Sequence, residues 1–240
     1  MSDYDARLVG LYDQDNPDGP DHDFYRSLAD EHGARSVLDV GCGTGLLTTT
    51  FARAGRHVVG LDPSETMLDF ARRRPGGQRI DWILGDTRAL PPGRFNLAVL
   101  TGNVAQHIFD PEWQRTLRDL HQQLGEGGVL AFDSRNPRTR AWEIWASQKP
   151  SFRDTQHGTL VEWAEVSAVR EGVVTATFHN EFLSTGDCVL ETVRFAFRDH
   201  DTLGRQLAAA GFEVDAVYGD WARTPFTADA PFMVFIAHAR

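Results

Sequence analysis

Three glycines at alternate positions, Gly41, Gly43 and Gly45, follow the apolar run Val37-Leu38-Asp39-Val40, and Leu46 opens a helix-like stretch. Glycine admits positive φ and lets a ligand approach the main chain closely. A strand, a tight glycine turn and a helix N-terminus form a nucleotide-sized crevice at the carboxyl edge of a parallel sheet. A dinucleotide fingerprint needs its third glycine where Leu46 stands, and a phosphate loop ends in Gly-Lys-Ser/Thr. Neither is present, and residues 37 to 50 contain no Lys or Arg. The loop, which also holds Cys42, therefore suits an adenosine ligand without phosphates.

Four further landmarks follow in order. His57-Val58-Val59-Gly60-Leu61-Asp62 reads as a second strand ending in an acid. Its distance from Gly45 is a little under the roughly 20 residues at which a carboxylate meets ribose hydroxyls. Gly85-Asp86-Thr87 closes a third apolar run, Phe95 to Asn103 reads as a fourth strand, and Leu124 to Phe132 as a glycine-rich turn into a fifth. Across residues 35 to 135 this ordered set resembles the class I S-adenosylmethionine-dependent methyltransferases, beginning with their motif I at the first glycine loop. The resemblance implies an α/β, Rossmann-like fold: a seven-stranded, mostly parallel sheet with an antiparallel last strand. It implies that Asp39, Gly41 and Gly43 line the methionine end of S-adenosylmethionine, with Cys42 and Gly45 in the same loop. Asp62, followed by Pro63, is expected at the ribose, Asp86 and Thr87 at the adenine edge, and Met67 on the adenine ring. Capping or surface roles compete for Asp39 and Asp86, and a core role for Met67.

Methyl transfer draws its reactivity from the donor, while the protein aligns the reacting atoms. The segment after strand four is where methyl and acceptor meet in this family. Asn103 is expected at the cofactor and Gln106 at the acceptor. His107 is a candidate general base, since imidazole titrates near neutrality; a plain surface histidine is the alternative. After strand five, Arg135 can hold an acceptor carboxylate, with Asn136 beside it; pairing with a neighbouring Asp is the alternative. Trp142 and Trp145 either wall an apolar pocket or seat an insert on the sheet. Tyr12, with Tyr4, is expected to form a lid over the cofactor, with core packing as the competing role.

Several function classes are disfavoured. Gly102-Asn103-Val104-Ala105 replaces the Asn/Asp-Pro-Pro-Tyr/Phe tetrapeptide of nucleic-acid amino methylation, and the net charge of −10 opposes a phosphate-backbone partner. No acidic cluster follows strands four and five, so no metal is expected. No apolar stretch approaches a membrane span, and Met1 to Asp5 lack the regions of a signal peptide. Two cysteines make no disulfide framework, which suits a reduced cytoplasm.

The chain divides into an N-terminal helical lid (1–34), a cofactor-binding domain (35–137 and 199–240) and an inserted subdomain (138–198). A helix is expected to start at Asp110-Pro111-Glu112 with Asp110 as its cap. The insert reads as a three-stranded antiparallel meander, Leu160 to Val169, Val173 to Leu183 and Val189 to Phe197. By resemblance it covers the acceptor or joins two subunits as a homodimer. The expected function is methyl transfer to N or O of a small metabolite, with S-adenosylhomocysteine as the other product. The alternatives are a non-catalytic binding module, a transferase using another adenosyl donor, and a nicotinamide enzyme, the last opposed by Leu46.

Overall fold

The computed structural model describes residues 3–240. Met1 and Ser2, which open the acidic N-terminal stretch, lie outside them. Two short helices, α1 (Ala6–Val9) and α2 (Tyr12–Asp15), precede α3 (Pro20–Glu31). Strands and helices then alternate through β1 (Ser36–Val40), α4 (Thr48–Phe51), β2 (His57–Asp62), α5 (Glu65–Arg73), β3 (Asp81–Leu84), β4 (Leu97–Leu100), α6 (Glu112–Leu124) and β5 (Val129–Arg135). After α7 (Ala141–Ser147) come β6 (Ser151–Thr155), β7 (Gly158–Val166), β8 (Val173–Phe182) and β9 (Asp187–Ala196). The described chain closes with α8 (His200–Ala209), β10 (Phe212–Tyr218) and β11 (Phe232–Ala239).

Seven strands form the main sheet in the order β10-β11-β5-β4-β1-β2-β3. β11 runs antiparallel to both β5 and β10, while β1 to β5 pair in parallel. The order reverses between β1 and β4, so their carboxyl ends open into a crevice at the switch point. Residues of β1, β4 and β5 alternate between two buried clusters, one on each face of the sheet. Such two-sided burial is why these strands read as continuous apolar runs.

The N-terminal helices divide in two. α3 buries Phe24, Tyr25 and Leu28 on the main sheet, whereas Leu8 and Leu11 pack on Leu160 and Phe182 of the insert. Only α1 and α2 therefore stand as a cover. The three expected insert strands are present, and β6 precedes them to make a four-stranded antiparallel sheet. β6 escapes sequence reading because it is a polar edge strand whose Phe152 is 69% exposed; its place comes from the hairpin with β7. The helix expected after strand four begins at Glu112, but Asp110 does not cap it. Its carboxylate instead accepts from Gln206 and pairs with Arg198 at 3.7 Å. Among the described residues no helix is long and apolar enough to cross a membrane.

Tyr25 donates to Asp133 at 2.7 Å, beneath the crevice, and both side chains are fully buried. Burial pushes the Asp133 carboxyl up to about 6 from 3.8, against the hydrogen bonds from Tyr25 and from the Asn103 backbone. Because the folded pKa lies above the unfolded one, ionising this group costs stability, and the cost grows as pH rises through 6. Tyr25→Phe removes a donor to the ionised form. Urea melts should show a loss of about 1–3 kcal/mol at alkaline pH that shrinks under mild acid; an equal loss at both would contradict this.

Candidate functional site

The glycine loop is shaped by three positive φ values: 73° at Gly41, 52° at Gly43 and 72° at Gly45. The three glycines differ in what surrounds them. A Cβ on Gly41 would come within 2.5 Å of Val104, and one on Gly45 within 2.5 Å of Trp82 and 3.1 Å of Ala71. These two positions are glycine because the protein itself packs there. A Cβ on Gly43 would meet only the Tyr12 ring, at 4.0 Å. Gly43 alone faces open space. Its N–H donates to Asp62 Oδ2 at 2.9 Å, and Asp62 Oδ1 accepts from the Ser64 N–H at 2.9 Å. Burial raises the Asp62 pKa against those two backbone donors. Pro63 is exposed beside it, and Met67 is buried at the start of α5. Cys42 lies in the same turn, its thiol pushed well up by burial.

Asp39 is 1% exposed. Its Oδ2 accepts from Thr48 at 2.6 Å, while its Oδ1 is buried without a partner. Burial pushes its pKa to about 7, with the Asp62 charge adding to the rise. Two desolvated carboxylates beside an open glycine cradle make a receptor for a cationic ligand, since an unpaired buried anion is costly until a cation meets it.

Asp86 and Thr87 have partners within the protein. Asp86 caps the turn that follows it and pairs with Arg88 at 2.6 Å and Arg115 at 3.5 Å. The Arg88 hydrogen bonds hold its carboxyl below the usual range. Thr87 donates to Asp119 at 2.6 Å. The structure thus gives Asp86 the capping role rather than a free adenine-facing carboxylate.

Asp133 of β5, which sequence reasoning missed, ties the loop after β4 to that strand. It accepts from the Asn103 N–H at 2.8 Å, fixing Asn103 in the left-handed region at φ 64°. The lone acid ending the run Val129 to Phe132 was its only signal. Asn103 Oδ1 and Gln106 Nε2 are buried without partners. Gln106 accepts from Arg135 at 3.0 Å. The Arg135 guanidinium lies 5.1 Å from the Trp145 ring, and burial lowers its pKa. Among the described residues no carboxylate forms an ion pair with it. His107 packs at 5.0 Å against Phe195 of β9. His107 is exposed to solvent at this surface, and its apolar neighbours and the Arg135 charge lower its pKa, so it is neutral at pH 7.

Two of the expected acceptor contacts lie elsewhere. Asn136 donates to the carbonyls of Ala228 and Ala230 at 2.9 and 2.8 Å, stapling the loop before β11. Trp142 packs edge-on to Phe197 at 4.6 Å and seats the insert. Tyr12 and Tyr4, 37% and 42% exposed, stand over the crevice. The Tyr12 phenol is raised by burial, then by Asp62, Asp13 and Glu191, and is lowered by Arg135. The cover is clasped on both sides: Asp13 accepts from Thr44 at 2.6 Å and pairs with Arg74, while Arg7 reaches Asp187 at 2.9 Å. Among the described residues no group of three or more His, Cys, Asp or Glu is placed to hold a metal ion.

Residues 37–128 match a family model described as a methyltransferase domain. That match spans under half of the chain; with the relatives below it supports a class I S-adenosylmethionine-dependent methyltransferase. It is similar to a glycine/sarcosine N-methyltransferase of Aphanothece halophytica, 29% identical over 90% of this chain and 80% of the relative. A ubiquinone biosynthesis O-methyltransferase of Ruegeria pomeroyi is 36% identical, over 52% of this chain and 53% of its own. The fold is shared with the sugar N-methyltransferase KedS8 from Streptoalloteichus sp, at TM-score 0.75 and 20% identity, over 100% of this chain and 96% of that one.

The glycines of this methyltransferase should separate by experiment. Gly45→Val meets Trp82 and should lower stability by about 1–3 kcal/mol in thermal melts. Gly43→Val, strained by its positive φ but free of a side-chain clash, should cost less stability than Gly45→Val yet weaken S-adenosylmethionine binding by about tenfold or more in calorimetry. Unchanged affinity of the Gly43 variant would remove the loop from the site.

Proposed function

We propose that this methyltransferase methylates the amine nitrogen of a small acceptor that carries a carboxylate. Bound S-adenosylmethionine supplies a methyl group on a positively charged sulfur, already activated for displacement. Gly43 leaves room for the cofactor, and Asp39 and Asp62 offer carboxylates to its cationic and hydroxyl groups. The orphaned Asp39 Oδ1 is the observation that fits these residues to such a ligand. Tyr12 covers it, and Asn103, pinned by Asp133, borders the reacting end. Arg135 and Gln106 receive the acceptor carboxylate, with Trp145 packed on the guanidinium. His107, neutral at pH 7, accepts a hydrogen bond from the acceptor rather than storing its proton.

The observation that carries this reading is Arg135. The guanidinium is desolvated and, although the Asp133 charge offsets part of that, among the described residues no carboxylate is in direct contact with it; a planar, bidentate donor is matched to carboxylates. The relatives support nitrogen as the target: the N-methylating relative aligns over 90% of this chain, insert included. The O-methylating relative aligns over 52%. Two free cysteines accord with a reducing compartment.

Turnover should be measured with labelled S-adenosylmethionine on glycine, sarcosine and β-alanine against their methyl esters. Free acids should be preferred. Arg135→Met should raise their KM by about tenfold to a hundredfold, matching the 1.5–3 kcal/mol of a hydrogen bond to a charged group, with cofactor affinity unchanged. Equal turnover of acids and esters would overturn the reading.

A further inference from the structure

The inner face of the inserted sheet carries a second uncompensated charge. Register pairs Glu191 of β9 with Phe178 of β8, and alternation puts Val189, Val193 and Phe195 on the same face. That face is anchored at both ends. Val189 packs with Leu8, Leu11, Leu160 and Phe182 under the N-terminal cover, and Val193 and Phe195 pack with Trp145. Phe195 also touches His107 and lies 5.0 Å from Trp145, whose ring meets Arg135. Glu191 therefore sits between two apolar clusters, over the space that His107, Arg135 and Tyr12 border.

Its carboxylate is half-buried, and its one hydrogen-bond partner is Asn180 Nδ2 at a long 3.5 Å. Glu162, on the same face, differs: Arg153 pairs with it at 2.9 Å. Among the described residues no Lys, Arg or His forms an ion pair with Glu191. Burial raises its pKa and the Asp5 charge adds to the rise. Glu191 raises both phenols, Tyr4 and Tyr12, and Arg135 lowers Tyr12.

An anion and a cation, each partly desolvated and each without an ion-pair partner among the described residues, define a dipolar guest. We propose that Glu191 is a specificity-determining residue that receives the ammonium of a zwitterionic acceptor whose carboxylate lies on Arg135, and takes up the proton that the nitrogen sheds before it attacks the methyl group. This rests on the reading of Arg135 given above and extends it to the opposite pole. It assigns the inserted sheet a direct part in acceptor choice: the sheet presents a charge that an uncharged amine or a simple carboxylic acid leaves unpaired.

The test uses the whole enzyme with glycine and sarcosine as substrates and glycolate, which lacks the amine, as competitive inhibitor. The wild type should bind glycolate more weakly than glycine. Glu191→Gln should raise the KM of both amino acids about tenfold or more, leave the Kd of S-adenosylmethionine unchanged, and erase the difference between glycine and glycolate. Glu191→Asp should restore part of that discrimination, and its retained cofactor affinity reports an intact fold. If free acids are preferred over esters but Glu191→Gln leaves KM and discrimination as they were, Glu191 is overturned while Arg135 stands. If esters serve as well as acids, or no amino acid binds the wild type, both readings fall.

Discussion

One hydrogen bond orders the cofactor half of this protein: the Gly43 N–H on the carboxylate of Asp62, at 2.9 Å. It ties the first β-to-α turn to the end of the neighbouring strand, and both must be in place for the crevice to exist. The turn is built from three residues in the left-handed region, a conformation that side chains other than glycine adopt at a cost. Asp62 holds the turn's amide while its other oxygen holds Ser64, so one carboxylate sets two loops at once. Asp133 does the same on the far side of the switch point, joining the loop after β4 to α3 through Asn103 and Tyr25.

Both devices place ionisable groups in poor solvent. Asp39, Asp62 and Asp133 all sit above the ordinary carboxylate range because burial disfavours the ion more than their hydrogen bonds favour it. In the function proposed, a cation relieves the unfavourable balance at Asp39, which would link cofactor binding to its ionisation. Arg135 and Glu191 are proposed to extend the same logic to the acceptor side with opposite signs. The protein's contribution to the reaction is thus a set of fixed, unpaired charges awaiting a ligand.

Much of the cofactor half was legible because it is local. Glycines at alternate positions and acids at strand ends report backbone geometry directly, and Gly43 and Asp62 meet in one hydrogen bond. The distinction among the glycines was not legible, since Gly41 and Gly45 are filled by Val104 and Trp82 from elsewhere in the chain. Asp86 takes the capping role that stood beside the adenine-edge expectation, with Arg88, two residues on, as its partner. Asn136 and Trp142 are committed by groups distant in sequence, and β6 has too little apolar alternation to register. Glu191 was invisible for a different reason: one acid on an alternating strand reads as a solvent face until a cover is packed over it.

The central claim is that a cationic adenosyl ligand meets the buried carboxylates beside the Gly43 turn. Calorimetric titration of S-adenosylmethionine just below neutral pH, repeated in buffers of differing ionisation enthalpy, tests it directly. The account predicts binding at one site per chain with release of up to about one proton as Asp39 ionises, lost in Asp39→Asn, and no heat with NAD. Binding without proton release, equal behaviour of the Asp39 variant, or a preference for NAD would contradict it.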